Sequence, residues 1–377
     1  MKRLLDGIVE LALEIMRTRG EYQARKLQVE QQPMTINQPV QLKGAPGSPY
    51  TRKMLAYLRF RHIAYQFLIG NHATDLGLPE PKVDLLPTFY LPDDKGELQA
   101  VVDSTPLIRR FEAQIEGRHA IPDDPVLGFV NYLIEDYADE WLTKAMFHYR
   151  WYYEADIKMA GTILPLWRSI QMSDTQLQKM SAYISERQIS RLYVVGSNDI
   201  TAPVIEDSYK RFLQIFDRLI QQQPFVLGSR PSSADFGLYA QLTQLAKFDP
   251  TPAALCLQIA PRVHAWTDLL DDQSGNAAAA NGWMPVEQVK VTLADLLTEI
   301  GRVYAPALLA NAEALQAGQA QMHTTIDGRA WQQPTFPYQG KCLQWINQEY
   351  QRLDAAQQQQ VDHILAGTGC EALLMRQ

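Results

Sequence analysis

The chain has 377 residues, of which 46% are hydrophobic and 20% charged, and its formal net charge is -7. This length exceeds one ordinary compact core and predicts two domains with additions, while the composition excludes an intrinsically disordered chain. Because the chain is acidic overall, it has no bulk electrostatic reason to bind nucleic acid or an anionic membrane, so we expect neither partner.

The cysteine and histidine patterns indicate neither a metal site nor a disulfide framework. Cys256, Cys342 and Cys370 are widely spaced and form no Cys-x-x-Cys pair, and the histidines show no HExxH motif. A reducing compartment is the simpler interpretation, so we expect a cytoplasmic protein without a metal. No stretch approaches the length and apolarity of a membrane span.

The residue pattern of the first 38 positions predicts a helix followed by a linker. Leu5, Ile8, Val9 and Ala12 fall on one helical face, and acidic residues interrupt the apolar run, which argues against a targeting peptide. The polar, glutamine-rich stretch 22–38 is typical of a linker.

A small α+β unit begins near residue 39. Alternating apolar residues predict a strand at 40–42, the turn sequence GAPGSP follows, and a helix is expected from 49 to about 62 before a second strand at 65–69. After a loop, a hairpin with a DDKG turn and a helix from Ser104 complete the order β-α-β, loop, β-β-α.

From residue 124 onward, strand signals nearly vanish and helical spacing dominates. A later Asp-Gly pair indicates one more hairpin, at 327–328. Helices are predicted at 127–153, 174–191, 203–222, 232–246, 260–271, 285–320, 338–352 and 354–366.

Three short motifs stand out along the chain: SPYTRK at 48–53, Leu-Pro at 86–87 followed by Asp-Ser at 103–104, and PSSADF at 231–236. Their order and spacing resemble those of the glutathione transferase superfamily. SPYTRK at 48–53 resembles the Ser-Pro-aromatic-x-x-Lys/Arg signature of its serine-type members. The Leu-Pro pair at 86–87 and the Asp-Ser pair at 103–104 resemble its cis-proline and its acidic-Ser pair. PSSADF at 231–236 resembles the capping motif of a buried helix in its second domain.

The resemblance implies an α+β thioredoxin-like N-terminal domain, of order β-α-β-α-β-β-α, followed by an all-α C-terminal domain. The glutathione-binding domain would span 39–117 and the helical domain 124–275. Residues 1–38 would be an N-terminal helix and linker, and 276–377 a mostly helical extension, as in a bacterial-like serine-type subgroup with such additions.

Ser48 is the implied catalytic residue. Its hydroxyl would donate a hydrogen bond to the glutathione sulfur, and the adjacent helix N-terminus would help to keep that sulfur ionised. The alternative is that Ser48 is a plain helix N-cap. Tyr50 is a rival donor whose early helical position fits packing better, and Lys53 fits a surface or structural ion pair.

The resemblance also assigns the rest of the glutathione site. A cis bond before Pro87 would let the backbone of Leu86 pair with the cysteinyl part of glutathione, and the alternative is a plain trans edge-strand proline. Ser104 would hold the γ-glutamyl carboxylate at a helix N-terminus, and Asp103 would pair with the γ-glutamyl ammonium. The family more often has Glu at the position of Asp103, and the alternative for both residues is a helix cap.

The second domain supplies structural and acceptor-site candidates. Ser232 and Asp235 have capping-box spacing and should nucleate the central helix without touching substrate. Tyr149 and Tyr152 are the candidates for an acceptor pocket in a dense aromatic stretch, although such a stripe is more often core. His148 is expected to be structural.

The implied function is an enzyme that transfers glutathione, as co-substrate, to a hydrophobic electrophile, in detoxification. A homodimer is the family's usual state, and a monomer made by the extension is the alternative. The competing function is a non-catalytic interaction protein on the same fold, metaxin-like or a scaffold. A glutaredoxin-like reductase would need a cysteine where Ser48 stands.

Overall fold

A computed structural model describes residues 39–70 and 76–374 of the chain. The predicted N-terminal helix and linker, residues 1–38, lie outside the described residues. Within the described ranges, no helix combines the length and apolarity needed to cross a lipid bilayer. The same ranges contain no group of three or more His, Cys, Asp or Glu side chains arranged to hold a metal ion.

The first unit is a four-stranded mixed sheet with two helices. Its strands are β1 (Val40–Lys43), β2 (Tyr65–Leu68), β3 (Thr88–Pro92) and β4 (Leu98–Val101), in the order β2-β1-β3-β4. β1 pairs parallel with β2 and antiparallel with β3, which pairs antiparallel with β4. The helices are α1 (Pro49–Phe60) and α2 (Ser104–Gln114). This thioredoxin-like arrangement agrees with the predicted fold class.

The segment between β2 and β3 would carry the additional helix of the predicted order. Residues 71–75 lie outside the described residues, and 76–87 form turns and bends. The described part of the first unit therefore runs β-α-β, loop, β-β-α, as the local sequence signals predicted.

The second unit is helical. Its helices are α3 (Pro125–Tyr137), α4 (Thr143–Tyr152), α5 (Glu154–Leu166), α6 (Asp174–Ile189), α7 (Ala202–Ile220), α8 (Ser233–Leu242), α9 (Pro250–Ile259) and α10 (Pro261–Asp271). Two wider, π-helical turns, Ala138–Leu142 and Thr243–Phe248, follow α3 and α8. The single helix predicted at 127–153 is therefore interrupted at Ala138–Leu142.

The sequence analysis missed α5 and α9. The buried residues of α5 include Asp156, Ala160 and Gly161, so its packed face carries few large apolar side chains. A Cβ built at Gly161 would come within 2.6 Å of Ser185 Oγ on α6, which shows how closely the two helices pack. Hydrophobic periodicity cannot reveal a face that packs through small residues.

The C-terminal extension is folded and joins the main core. It comprises α11 (Val286–Thr292), α12 (Ala294–Gln316), β5 (Gln321–Ile326), β6 (Arg329–Pro334), α13 (Pro337–Gln351) and α14 (Ala355–Leu365), with β5 and β6 as the predicted hairpin. Tyr304 donates a 2.6 Å hydrogen bond to Asp136 of α3, and Tyr350 packs against Phe129 of the same helix. The extension thus covers a face of α3.

The central helix α8 of the second unit packs against α1 of the first unit. Ser232 and Asp235 form its capping box: Ser232 Oγ accepts from Asp235 N at 3.4 Å, and Asp235 Oδ2 accepts from Ser232 N at 2.8 Å. Burial raises the pKa of Asp235 to about 6, although its hydrogen bonds act in the opposite direction. The next residue, Phe236, packs against the rings of Tyr57 and Phe60 on α1.

A buried ion cluster also joins α1 to the helical domain. Lys53 Nζ lies 2.8 Å from Glu135 Oε1 and 2.6 Å from Asp139 Oδ2, and its side chain is inaccessible to solvent. Glu135 Oε2 accepts a further 2.7 Å hydrogen bond from Ser233 at the start of α8. Burial would raise the pKa of Glu135, but the charges of Lys53 and Arg109 outweigh it and lower that pKa to about 2. Lys53 is therefore a structural ion-pair residue and not a surface one.

Replacing Lys53 with Met should destabilise the fold strongly. The variant leaves two buried carboxylates without their lysine, and breaking a buried pair from one side costs about 3–5 kcal/mol. Urea unfolding measures the loss. The matched control is Lys210→Met, which removes a half-exposed pair with Asp207 and should change stability by about 0.5 kcal/mol or less. Equal effects of the two variants would contradict a central role for the cluster.

The same cluster predicts a pH dependence. Glu135 has a folded pKa of about 2 and an unfolded value of 4.5, so its stabilising contribution is complete above the unfolded value and is lost as pH falls towards the folded one. Glu135→Gln should cost roughly 3 kcal/mol near pH 7, and this difference should shrink between about pH 4.5 and 2. Urea unfolding at several pH values tests this, and a pH-independent difference would refute it.

Candidate functional site

The bend between β1 and α1 is held in place from several sides. Ser48 N donates to Ala45 O at 3.0 Å, which closes the turn. Pro46 O accepts from Arg52 Nε at 3.2 Å and from Gln244 Nε2 at 3.2 Å. The helical domain therefore shares in fixing the loop that carries Ser48.

Arg150 supplies the second support of this bend. Its Nη1 donates to Gly47 O at 3.1 Å, while its Nε and Nη2 donate to Asp249 at 2.9 Å each. Burial raises the pKa of Asp249 to about 6, and the charge of Arg150 opposes that rise. The sequence analysis missed both residues. The Asp-Pro pair at 249–250 marks a helix start, but nothing local identifies its partner 99 residues away.

Gly47 leaves no room for a side chain. A Cβ built there would lie 2.3 Å from Leu164 Cδ2 and 3.0 Å from the ring of Trp167. The end of α5 thus lies directly against the residue that precedes Ser48.

Ser48 Oγ makes two hydrogen bonds, of which the helix cap is the one that the sequence predicted. As the N-cap of α1, its Oγ accepts from Thr51 N at 3.2 Å. The same hydroxyl donates to Leu86 O at 3.1 Å, and the Leu86–Pro87 peptide bond is cis, as predicted. The Ser48 hydroxyl therefore caps α1 and at the same time contacts the Leu86–Pro87 segment.

Asp103 and Ser104 lie at the start of α2. Ser104 is the first helical residue and is buried. Asp103 has φ 83° and ψ 112°, a backbone conformation that residues other than glycine rarely adopt, and its side chain makes no capping hydrogen bond to α2. Tyr338 Oη of the extension donates to Asp103 Oδ2 at 3.4 Å.

Tyr50 is committed to the helical domain. Its hydroxyl donates to Asp139 O at 2.7 Å and lies 2.9 Å from Thr143 Oγ1. Burial, together with the charges of Glu140 and Asp139, raises the pKa of Tyr50 well above its ordinary value. These contacts agree with packing rather than with donation to a thiol.

The two acceptor-site candidates lie in different surroundings. Tyr149 is buried and lines a pocket of about 570 Å³, together with Tyr153, Glu206, Pro250 and Leu255 among others; all of its lining residues fall between 149 and 258. Tyr152 is more exposed, and its hydroxyl donates to Asp199 at 2.7 Å. The pocket is thus built from the helical domain, and Ser48 is not among its lining residues.

His148 is enclosed by the helical domain. Its Nδ1 lies 2.8 Å from Ser197 Oγ and its Nε2 lies 3.3 Å from Glu206 Oε1. The hydrogen bond from His148 is the largest influence that lowers the pKa of Glu206. Both ring nitrogens therefore have protein partners, which agrees with a structural histidine.

Two domain models match the chain. Residues 42–119 match the glutathione S-transferase N-terminal domain, and residues 200–269 match the glutathione S-transferase C-terminal domain. The chain belongs to the glutathione transferase superfamily. The first match includes Ser48, Leu86, Pro87, Asp103 and Ser104, and the second includes the α8 capping box. The helices α5 and α6 and the C-terminal extension lie outside both matches.

Solved structures, among them members of the glutathione transferase family, are similar to the chain. A family member from Pseudomonas fluorescens, with two glutathione bound, is 13% identical and has a TM-score of 0.41, with 66% of this chain and 94% of that chain covered. The tau class enzyme of mango, Mangifera indica, is 15% identical with a TM-score of 0.37 and coverages of 66% and 94%. Gtt2 from Saccharomyces cerevisiae is 16% identical with a TM-score of 0.35 and coverages of 63% and 100%. No curated protein sequence matches the chain, so the family assignment depends on the two domain models.

Gly47→Ala should disturb the bend that carries Ser48. The new methyl group overlaps Leu164 and Trp167, and overpacking of this kind costs about 1–3 kcal/mol. The variant should unfold at lower urea concentration and bind glutathione more weakly. Gly275→Ala is the control, because its Cβ would meet nothing within 4 Å. A Gly47→Ala protein as stable as the control would contradict the close packing of α5 on this bend.

Proposed function

We propose that the chain is a glutathione-dependent transferase that binds glutathione along Leu86, Pro87, Asp103 and Ser104 and activates its thiol through Ser48. The observation that carries the proposal is the 3.1 Å hydrogen bond from Ser48 Oγ to Leu86 O. It joins two segments, 38 residues apart in sequence, that were each expected to contact the cysteinyl part of glutathione.

This hydrogen bond suggests how glutathione would enter the site. The Ser48 hydroxyl would turn from Leu86 O to the sulfur, and Leu86 O would then accept the cysteinyl N–H. One hydrogen bond within the protein is exchanged for two to the ligand, so neither Ser48 nor Leu86 loses its partner. The bend itself need not move, because Arg52, Arg150 and Gln244 already hold it.

The energy required for thiol activation is within reach of this arrangement. A free thiol has a pKa of about 8.5, and lowering it by about two units requires roughly 2.7 kcal/mol of preference for the thiolate. A hydrogen bond to a charged group contributes about 1.5–3 kcal/mol, and a helix N-terminus adds about 0.3–1 kcal/mol. Ser48 at the start of α1 combines both effects, and no base is needed because the hydroxyl remains protonated.

The γ-glutamyl end would lie at the start of α2. The N-terminus of that helix favours an anion, which suits the carboxylate beside Ser104. The carboxylate of Asp103 would accept a charge-assisted hydrogen bond from the γ-glutamyl ammonium. The carboxylate and the ammonium of the γ-glutamyl group would thus each meet a complementary charge.

The acceptor is proposed to be a hydrophobic electrophile. Tyr149 lines a pocket of aromatic, apolar and charged residues that does not include Ser48, and the Tyr152 hydroxyl is bonded to Asp199, so both remain candidates by resemblance alone. A cytoplasmic location belongs to the same proposal, supported by three buried cysteines that are not in disulfides. A role in detoxification is the expectation that the family resemblance gives. Homodimer assembly remains the expectation that the family resemblance gives.

Ser48→Ala should separate thiol activation from glutathione binding. Without the hydroxyl, the pKa of the bound thiol should rise by about one to two units and turnover of chlorodinitrobenzene should fall by about tenfold or more. The thiolate's ultraviolet absorbance gives the pKa, and calorimetry should show glutathione still bound. Ser48→Thr keeps a hydroxyl and should retain most of the activity.

Ser48→Ala also removes the N-cap hydrogen bond of α1, and the resulting loss of stability needs a separate control. Ser173 caps α6 through a similar hydrogen bond from Gln176 N, so Ser173→Ala should cost comparable stability, about 1 kcal/mol, without altering the thiol. If Ser48→Ala leaves both the thiol pKa and turnover unchanged, Ser48 is a cap alone. If the unaltered protein fails to bind millimolar glutathione, the non-catalytic interaction protein becomes the better account.

A further inference from the structure

The pocket of about 570 Å³ in the helical domain takes no part in the proposed thiol chemistry. Every described residue that lines it belongs to the end of α4, to the residue after α4, to α7 or to α9. Its volume falls within the range of about 300–1,000 Å³ that is typical of small-molecule sites. The size of the pocket therefore suits a small organic ligand.

Glu206 of α7 lines this pocket, and the protein holds its carboxylate through one oxygen. Oε1 accepts from the Tyr153 hydroxyl at 2.5 Å and lies 3.3 Å from Nε2 of the fully buried His148. His148 is fixed in turn by Ser197, whose Oγ lies 2.8 Å from its Nδ1. Among the described residues, none donates a hydrogen bond to Oε2. The carboxylate is thus oriented by the protein and has one oxygen available to a ligand.

The charge of this pocket is dominated by Glu206. The hydrogen bond from His148 lowers the pKa of Glu206, against the opposing effect of burial, so the carboxylate is ionised at neutral pH. Lys210, one helical turn further along α7, also lines the pocket, but its half-exposed side chain forms a 3.2 Å ion pair with Asp207. Asp207 and solvent therefore offset the positive charge of Lys210.

Two tyrosine rings stand beside this carboxylate. The rings of Tyr149 and Tyr153 are stacked, with their centroids 5.8 Å apart, and both line the pocket. Tyr149 is buried, and its hydroxyl has no hydrogen-bond partner within the described part of the chain. A buried hydroxyl without a partner, in a residue that lines a pocket, indicates a site that a further molecule completes. The faces of the rings attract cations as well as apolar groups.

We infer that this pocket binds a primary ammonium carried on an aromatic or branched apolar body, with Glu206 as the anchor of the ammonium. The ammonium would donate a charge-assisted hydrogen bond to Glu206 Oε2 and lie near the Tyr153 ring. The apolar body would lie against Tyr149 and against Pro250 and Leu255 of α9. The inference does not depend on the proposed function, because none of these groups belongs to the proposed glutathione site.

Tryptamine and tryptophol test the inference as a pair of probes. They share an indole ring and an ethyl chain, and a hydroxyl in tryptophol replaces the ammonium of tryptamine. Calorimetry at pH 7 should show tryptamine binding to the full chain at millimolar concentration. It should bind about tenfold or more tightly than tryptophol, because only the ammonium gains from the carboxylate and the rings.

Glu206→Gln should remove this preference. Glutamine has nearly the same size and can still accept from the Tyr153 hydroxyl, but it carries no charge. The preference for tryptamine should fall to about twofold or less, and tryptophol should bind as before. Asp199→Asn is the matched control, because Asp199 accepts from the hydroxyl of Tyr152 at 2.7 Å and lies outside the pocket lining. This control should keep the full preference.

Three results would overturn the inference: no binding of tryptamine at millimolar concentration, equal binding of tryptamine and tryptophol, or a full preference in Glu206→Gln. An equal loss in Asp199→Asn would also overturn it, because the cation would then respond to the overall acidity of the chain.

A steric variant keeps the test decisive if Glu206→Gln does not fold. Ala254→Trp places a large ring in the pocket from an exposed position of α9, so it must abolish tryptamine binding. Leu257→Trp, at an exposed position of the same helix outside the lining, must leave that binding unchanged. Tryptamine binding that survives Ala254→Trp would place the ligand elsewhere and overturn the inference.

The two proposals fail independently. Glutathione binding and the thiol pKa report on Ser48, whereas the preference for tryptamine reports on Glu206. A chain that binds tryptamine but not glutathione would refute the proposed function alone, and the reverse result would refute the ammonium site alone.

Discussion

A lysine buried between two carboxylates fixes helix α1 against the helical domain. Lys53 of α1 contacts Glu135 and Asp139, and Glu135 in turn accepts from Ser233 at the start of the central helix. Ser48 lies five residues before Lys53, about 7.5 Å along the same helix. Because a helix is stiff over this distance, the ion cluster also determines where the Ser48 hydroxyl lies relative to the second domain.

Several separate regions of the chain therefore contribute residues to the proposed glutathione site. The bend supplies Ser48, the loop before β3 supplies Leu86, and the start of α2 supplies Asp103 and Ser104. The helical domain holds the bend through Arg150 and Gln244, and the extension contacts Asp103 through Tyr338. The contacts from Arg150, Gln244 and Tyr338 come from outside the thioredoxin-like unit, so residues beyond that unit help to fix the geometry of the proposed site.

The sequence predicted the features that local chemistry determines. Turn residues and the alternation of apolar side chains predicted strands β1 and β2 and helix α1, and the spacing of Ser232 and Asp235 predicted the capping box. It did not reveal α5, whose buried residues are small or polar, or the break at Ala138–Leu142, where apolar spacing continues through the turn. Nor did it reveal the burial of Lys53, because its partners are 82 and 86 residues away.

A crystal structure of the full chain soaked with glutathione tests the central claim most directly. The account predicts the sulfur within about 3.5 Å of Ser48 Oγ, the cysteinyl backbone paired with Leu86, and the γ-glutamyl group between Asp103 and Ser104. Glutathione seated elsewhere, for example in the pocket lined by Tyr149, with the Ser48 hydroxyl still bonded to Leu86 O, would contradict it.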